Sequence, residues 1–274
     1  MKIALCFSGH INDLNDTKEY WTGLIKKYDI DVYGSFWEDE HIEFGDTAEN
    51  FLNIYSPKRF EVENYEAFKT STQDLVSMNI DPPAEIESFF MGTTKRFGQL
   101  SMYYRIWRCN MLTKQTGTKY DLVIRARTDT KLDDNFEITY NEMLNVPVGI
   151  VCAYVLPNSF GYNDCFAYGT PKIMDYYSFL FLRMMEYLKA GYYALPAEHF
   201  LLVHFSKIHI QVRQMANYIT VTRTSKRMPD EVYNRTTSPF EENVQWSDWW
   251  EDTISNPAQF GNFMKASIKD DFVV

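Results

Sequence analysis

The order in which extended and helical patterns alternate constrains this fold more than any other feature. Residues 3–7, "IALCF", form a short apolar run that ends in Ser8-Gly9-His10, as a buried strand does when it runs into a loop. Asp16 and Glu19 then make a capping-box pattern, and Tyr20, Trp21, Leu24, Ile25 and Tyr28 recur on one helical face. A second extended run, "DIDVYGSFW", stops at the acidic Glu38-Asp39-Glu40. The chain therefore opens β-α-β.

The alternation continues. A short helix is expected at 48–55, stopped by Pro57, with the strand "RFEVE" after it. "IDPPAE" (80–85) reads as a loop. Phe97, Leu100, Tyr104, Trp107 and Met111 mark a helix over 95–116 that Gly117 closes. "GIVCAYVL" reads as a strand and "NDCFAYG" as a short strand or strand-like turn. One helix should open at Pro171, with Ile173, Tyr177, Leu180, Met184 and Leu188 on its face and Gly191 as its stop, and another near Pro196. Short strands at "HIQVR" and "YITVTR" follow. Strands interleaved with helices predict an α/β fold whose mostly parallel sheet carries helices on both faces, with ligands collecting beyond the carboxyl ends of the strands. A single domain over 1–224 and a tail over 225–274 packed on it are expected.

Composition narrows the function classes. With 45% hydrophobic and 16% aromatic residues the chain is too apolar to be disordered. A net charge of −10, with no Lys/Arg-rich run, argues against a nucleic-acid partner. Cys6, Cys109, Cys152 and Cys165 are far apart and form no C-x-x-C pair, so buried free thiols in a reducing compartment, the cytoplasm, are expected. The most apolar late stretch is broken by Asp175, Arg183 and Glu186 and falls short of a transmembrane span.

Against this background "YDLVIRARTDTKL" (120–132) is anomalous. Side chains alternate along a strand, so Val123, Arg125, Arg127 and Asp129 share one face and Leu122, Ile124, Ala126 and Thr128 the other. Charge on a core strand is a poor way to gain stability. Either these residues form a structural ion-pair network, or the arginines hold a diphosphate while Asp129 holds a divalent cation that bridges its oxygens.

Taken in order, "KIALCFSGHINDL", "DVYGSFW", "QLSMYYRIWRCNML", "YDLVIRARTD", "NDCFAYGTPKIMDYY" and "PAEHFLLVHF" resemble a family of GT-A-type (Rossmann-like) glycosyltransferases found in bacterial polysaccharide loci and large DNA viruses. The resemblance covers about residues 2–205. It implies a nucleotide-diphosphate-sugar donor, a glycan or glycoconjugate acceptor, a strand-end D-x-D-type motif and Mn2+ or Mg2+. That motif falls on Arg127-Thr128-Asp129, with arginine in the place of the first aspartate. A cation-independent variant, in which Arg125 and Arg127 neutralise the departing diphosphate, stays open.

Ser8, Gly9 and His10 can approach a nucleotide or simply make a tight turn, and Trp37 can line the nucleotide pocket or pack in the core. Asp164 and Glu198 are the candidate bases towards an acceptor hydroxyl. The first can instead close an Asx-type turn, and the second can sit at a helix start for its dipole alone. His199 and His204 are five apart, about 140° around a helix, which disfavours a zinc pair. His204 remains a candidate metal ligand opposite Asp129. The rings of "QWSDWW" (245–250) can face a sugar acceptor or anchor the tail. Two other classes stay in view: a non-catalytic nucleotide- or sugar-binding protein of the same fold, and a metal-dependent phosphoesterase, which would want more clustered carboxylates and histidines.

Overall fold

The computed structural model describes residues 1–38, 46–76, 93–132, 136–145, 150–155, 162–189, 197–207, 211–214 and 219–221. In chain order these form β1 (Ile3–Gly9), α1 (Leu14–Tyr28), β2 (Ile30–Glu38), α2 (Ala48–Tyr55), β3 (Arg59–Asn64), α3 (Tyr65–Val76), α4 (Thr93–Lys114), β4 (Leu122–Ala126) and β5 (Thr130–Leu132). They continue with α5 (Phe136–Leu144), β6 (Ile150–Val155), β7 (Tyr162–Gly169), α6 (Pro171–Ser178), α7 (Leu180–Lys189), α8 (Ala197–Lys207), β8 (Gln211–Gln214) and β9 (Ile219–Val221). The expected loop at 80–85, Gly191 and the tail 225–274 with its tryptophans lie outside the described residues.

Seven strands form one sheet in the order β3-β2-β1-β4-β7-β6-β8, and β5 and β9 form a second, two-stranded sheet. The neighbours of β1 and β2 run parallel, as does β8 beside β6, while β7 is antiparallel to both β4 and β6. The expected α/β class, a mostly parallel sheet with helices on both faces, is the one observed. Reversal of β7 was not anticipated. It brings the amino end of β7 to the edge where β1 and β4 end, with Ala126 opposite Phe166.

Period-two alternation sends each strand's side chains into two cores. Ile3, Leu5, Phe7, Leu122, Ile124 and Ala126 pack with Trp21 of α1 and with Phe51 and Tyr55 of α2. On the other face Ala4, Cys6, Tyr33, Trp37 and Val123 pack with Leu100, Tyr103 and Ile106 of α4 and with Tyr177 of α6. Burying a large apolar side chain contributes about 1.5–3 kcal/mol, so these two rows hold the layers together. Gly34 marks one close approach: a Cβ there would lie 2.7, 2.8 and 2.9 Å from ring carbons of Phe36, Phe51 and Phe60. Among the described residues no helix is long and apolar enough to cross a membrane. Cys6, Cys109 and Cys165 are buried free thiols.

Three local expectations are corrected. The start of α1 uses no Asp16–Glu19 box: Asp13 is its N-cap residue at φ 51, without a side-chain cap, and the Leu14 N–H donates instead to Asp46 Oδ2 at 3.0 Å. A carboxylate from elsewhere in the chain thus satisfies a helix-end donor. The single helix expected from Pro171 breaks at Phe179 into α6 and α7. Most importantly for the site, β4 ends at Ala126, and residues 127–130 make a turn closed by the Thr130 N–H and Oγ1 donating to the Arg127 carbonyl at 3.3 and 2.7 Å.

Candidate functional site at the carboxyl edge of the sheet

Beyond the carboxyl ends of β1 and β4 the chain makes two turns that are stitched together. Gly9, at φ 117, ends β1 in a conformation that L side chains rarely adopt. The following loop meets the strand-end turn through Thr128, which is fully buried. Thr128 Oγ1 donates to the Asn12 carbonyl at 2.9 Å and accepts from the Asn12 N–H at 3.0 Å, while Thr17 Oγ1 donates to the Thr128 carbonyl at 2.6 Å. Trp21 Nε1 adds a bond to the Thr130 carbonyl at 2.7 Å. Both turns are therefore held by α1 rather than left to solvent.

On this support Arg127 and Asp129 do not reach out separately. Because the strand has already turned, Asp129 lies back against Arg127. Arg127 Nε donates to Asp129 Oδ1 at 2.9 Å and Nη2 to Oδ2 at 2.6 Å, a two-pronged charge-assisted pair. Asp129 is 1% exposed and the Arg127 side chain 19%. Burial works against the Arg127 charge, but the Asp129 and Asp164 carboxylates outweigh it and hold the guanidinium above its usual value. Arg127 Nη1 lies 3.6 Å from Cys165 Sγ. Burial, seconded by Asp164, pushes that thiol up to about 12, so it stays protonated.

Arg125 is the other half of the site. It is the register partner of Cys6 of β1, on the same face, and is 2% exposed. Its Nη1 donates to the Cys165 carbonyl, and its Nε and Nη2 have no hydrogen-bond partner among the described residues. Tyr177 Oη and Ser8 Oγ are likewise buried without one. Buried donors of this kind are costly unless something completes them.

Both candidate bases come to this neighbourhood. Asp164 lies near the amino end of β7, is 9% exposed, and accepts from Cys165 Sγ at 3.4 Å. Glu198 lies in the first turn of α8. The Tyr103 phenol is pushed well up, first by burial and then by the charges of Asp164 and Glu198. Both carboxylates, and Arg125 with the opposite sign, thus act electrostatically on one buried tyrosine, whose hydroxyl donates to the Ala197 carbonyl beside Glu198.

Two candidates are placed elsewhere. Trp37 is 2% exposed: its ring is covered by Arg105 at 3.9 Å and packs on Tyr65, Phe68 and Tyr104, so it is a core side chain rather than a pocket wall. His204 is 1% exposed among the helices, with Nδ1 bonded to the Tyr187 hydroxyl at 2.8 Å and Nε2 to the Tyr176 carbonyl at 2.6 Å. Both ring nitrogens are engaged, and burial lowers its pKa to about 4, so it acts here as a neutral structural group and not as a ligand opposite Asp129. His10 is half-buried, with its ring 5.5 Å from that of Tyr65.

The Mn2+ or Mg2+ that the motif implied does not fit this donor set. A cation on Asp129 would have to displace the fork of Arg127 and sit beside its charge. At about 4 Å, a divalent and a unit positive charge repel by about 8 kcal/mol for an effective dielectric of about 20. No group of three His, Cys, Asp or Glu side chains poised for a metal occurs among the described residues.

Sequence reading missed a second charged assembly on the same face. Arg105 of α4 is fully buried, with Nη2 2.7 Å from Glu63 and Nη1 3.4 Å from Glu61 and 3.1 Å from Ser35 Oγ. Arg108 forks onto Glu61 at 3.0 and 2.6 Å. Burial opposes the Glu61 charge, but Arg108, Ser35 and Arg105 hold its carboxyl below the usual range. Complementary spacing could have found it: E-x-E on a strand places both acids on one face, and R-x-x-R on a helix does the same for both bases.

No family model matches the chain, and no curated protein does. Among solved structures it is similar to mouse xyloside xylosyltransferase 1 in its apo form, at 11% identity and a TM-score of 0.44, over 78% of this chain and 84% of that one.

Proposed function

We propose that the protein is a nucleotide-sugar-dependent glycosyltransferase of GT-A type, which moves a hexosyl or pentosyl group from a nucleotide-diphosphate donor to a hydroxyl of a glycan or glycoconjugate. One observation carries this reading: the buried Arg125 guanidinium, at the carboxyl edge of a mostly parallel sheet, has two nitrogens without a hydrogen-bond partner among the described residues and meets, at Cys165, the same residue that Arg127 and Asp164 contact. A sheet edge is where α/β proteins hold ligands, and a buried fork of donors suits a leaving diphosphate.

In this reading the acceptor oxygen attacks the anomeric carbon, the bond from that carbon to the diphosphate breaks, and the diphosphate leaves with the electron pair. Arg125 and Arg127 stabilise the growing negative charge. The acceptor proton passes to Asp164 or Glu198, both within electrostatic reach of Tyr103. Ser8, Gly9 and His10 contribute the backbone edge along which the nucleotide lies.

The engagement of Asp129 by Arg127 favours a second reading, a nucleotide- or sugar-binding protein that kept the fold without turnover. A thermal-shift screen of UDP-, GDP-, TDP- and CMP-type ligands, followed by donor hydrolysis and transfer with the best binder, separates the two. Turnover supports the transferase. Stabilisation without turnover supports the binding protein, and no shift well above a micromolar-to-millimolar dissociation constant removes both.

A further inference from the structure

The Arg127–Asp129 pair, resting on the donor-site reading above, can be taken further. A strand-end carboxylate serves a divalent cation when its oxygens are open to a small, hard ion that wants oxygen ligands in near-octahedral array. Asp129 has neither property here: both its oxygens face the Arg127 fork, and the side chain is 1% exposed. The backbone enforces the arrangement. The 127–130 turn is closed by Thr130 on the Arg127 carbonyl, and Thr128 between the two charges is locked to Asn12 and Thr17, so Asp129 is carried back to Arg127. Ahead of the pair lies Arg125, 2% exposed, with Nε and Nη2 unpartnered among the described residues.

We infer that this site binds its phosphorylated ligand without a divalent cation: Arg127, braced by Asp129, stands where the metal would stand, and Arg125 supplies the N–H donors that grip the phosphate oxygens. Asp129 is then a positioning residue that acts through Arg127. Replacement of the first motif carboxylate by arginine becomes the substitution of one positive charge for another, with the second carboxylate retained to aim it. The guanidinium differs from a metal in being permanently present and in offering directed donors.

Inorganic pyrophosphate and Mn2+ are the probes, used on the full chain. Calorimetric titration of pyrophosphate should give the same dissociation constant, within about twofold, in EDTA and in Mn2+, and Arg125→Met should weaken it roughly tenfold or more in EDTA, as loss of a charge-assisted fork does. Titration of Mn2+ alone, followed by the electron paramagnetic resonance of the free ion, should reveal no micromolar site that Asp129→Asn removes. Arg127→Asp, which restores paired carboxylates, should create one. Pyrophosphate binding that requires Mn2+, or a wild-type micromolar Mn2+ site lost in Asp129→Asn, overturns the inference, and so does absence of pyrophosphate binding in EDTA. If Arg125→Met or Arg127→Asp fails to fold, the wild-type titrations in EDTA and Mn2+ still decide. Metal-free pyrophosphate binding with no response to any nucleotide sugar would instead leave this inference standing and remove the glycosyltransferase reading.

Discussion

Two arginine-carboxylate assemblies lie on the same face of the sheet and are built differently. Between β3 and α4, buried Arg105 has carboxylates of both Glu61 and Glu63 within ion-pair distance and the Trp37 ring against it, and Arg108 completes Glu61. At the end of β4, Arg125 is as deeply buried but has only the Cys165 carbonyl, with no carboxylate at ion-pair distance among the described residues. The first assembly is neutralised by carboxylates of its own chain, although Arg105 Nε and Nη2 make no hydrogen bond among the described residues. In the second, one arginine is saturated by Asp129 and its neighbour is left open. Neither burial of charge nor an open N–H by itself marks a site; the difference is that Arg105 has carboxylates at ion-pair distance and Arg125 has none among the described residues.

Breaking the neutralised assembly should have the largest effect on stability. Arg105→Met removes the buried partner of Glu63 and one of the two arginines on Glu61, leaving Arg108 to hold both, and is expected to cost about 1.5–3 kcal/mol, read as a fall in the urea midpoint with unchanged slope. A loss under about 1 kcal/mol would mean that the two assemblies are not distinct in kind.

His204 sharpens the comparison as a buried polar group that is saturated and neutral. Its pKa is lowered in the folded state, so its stabilising contribution is complete above the unfolded value near 6.5 and is lost as pH falls towards about 4. Between pH 7.5 and 5 this residue should account for a loss of about 2 kcal/mol. His204→Gln should be less stable at pH 7.5 yet lose less on acidification, in paired urea melts at the two pH values. Parallel pH curves for the two proteins would contradict the assignment.

Arg125→Met should have the smallest effect on stability. With no carboxylate to strand, it is expected to change the unfolding free energy by less than about 1 kcal/mol in either direction, while ligand binding collapses. A destabilisation comparable to that of Arg105→Met would make Arg125 a structural ion, and the contrast between the two regions would disappear.

Much of the scaffold was legible from local pattern. The runs at 3–7 and 29–37, the helical face around Trp21 and the alternation of Leu122, Ile124 and Ala126 against Val123 and Arg125 all appear in the fold, each read over a few neighbouring residues. The same alternation failed two residues later. Extending it to Arg127 and Asp129 assumed a strand that had in fact become a turn, because Thr128 and Thr130 bond across it and to α1. Asp164 and Glu198 were nameable as carboxylates near element ends, but the meeting of their charges at Tyr103 depends on β7 running backwards beside β4.

The sequence by itself determined the α/β layering, the face each strand residue takes and the presence of unusual charge on β4, because side-chain period is a property of the local backbone. Only the tertiary structure decided which charges are partners: Arg105 with Glu61 and Glu63, Arg127 with Asp129, and Arg125 with neither carboxylate group. Pairing energies act through space, across about forty residues for Arg105 and across a turn for Arg127, and their geometry exists only once strand register and turn shape have brought the groups together.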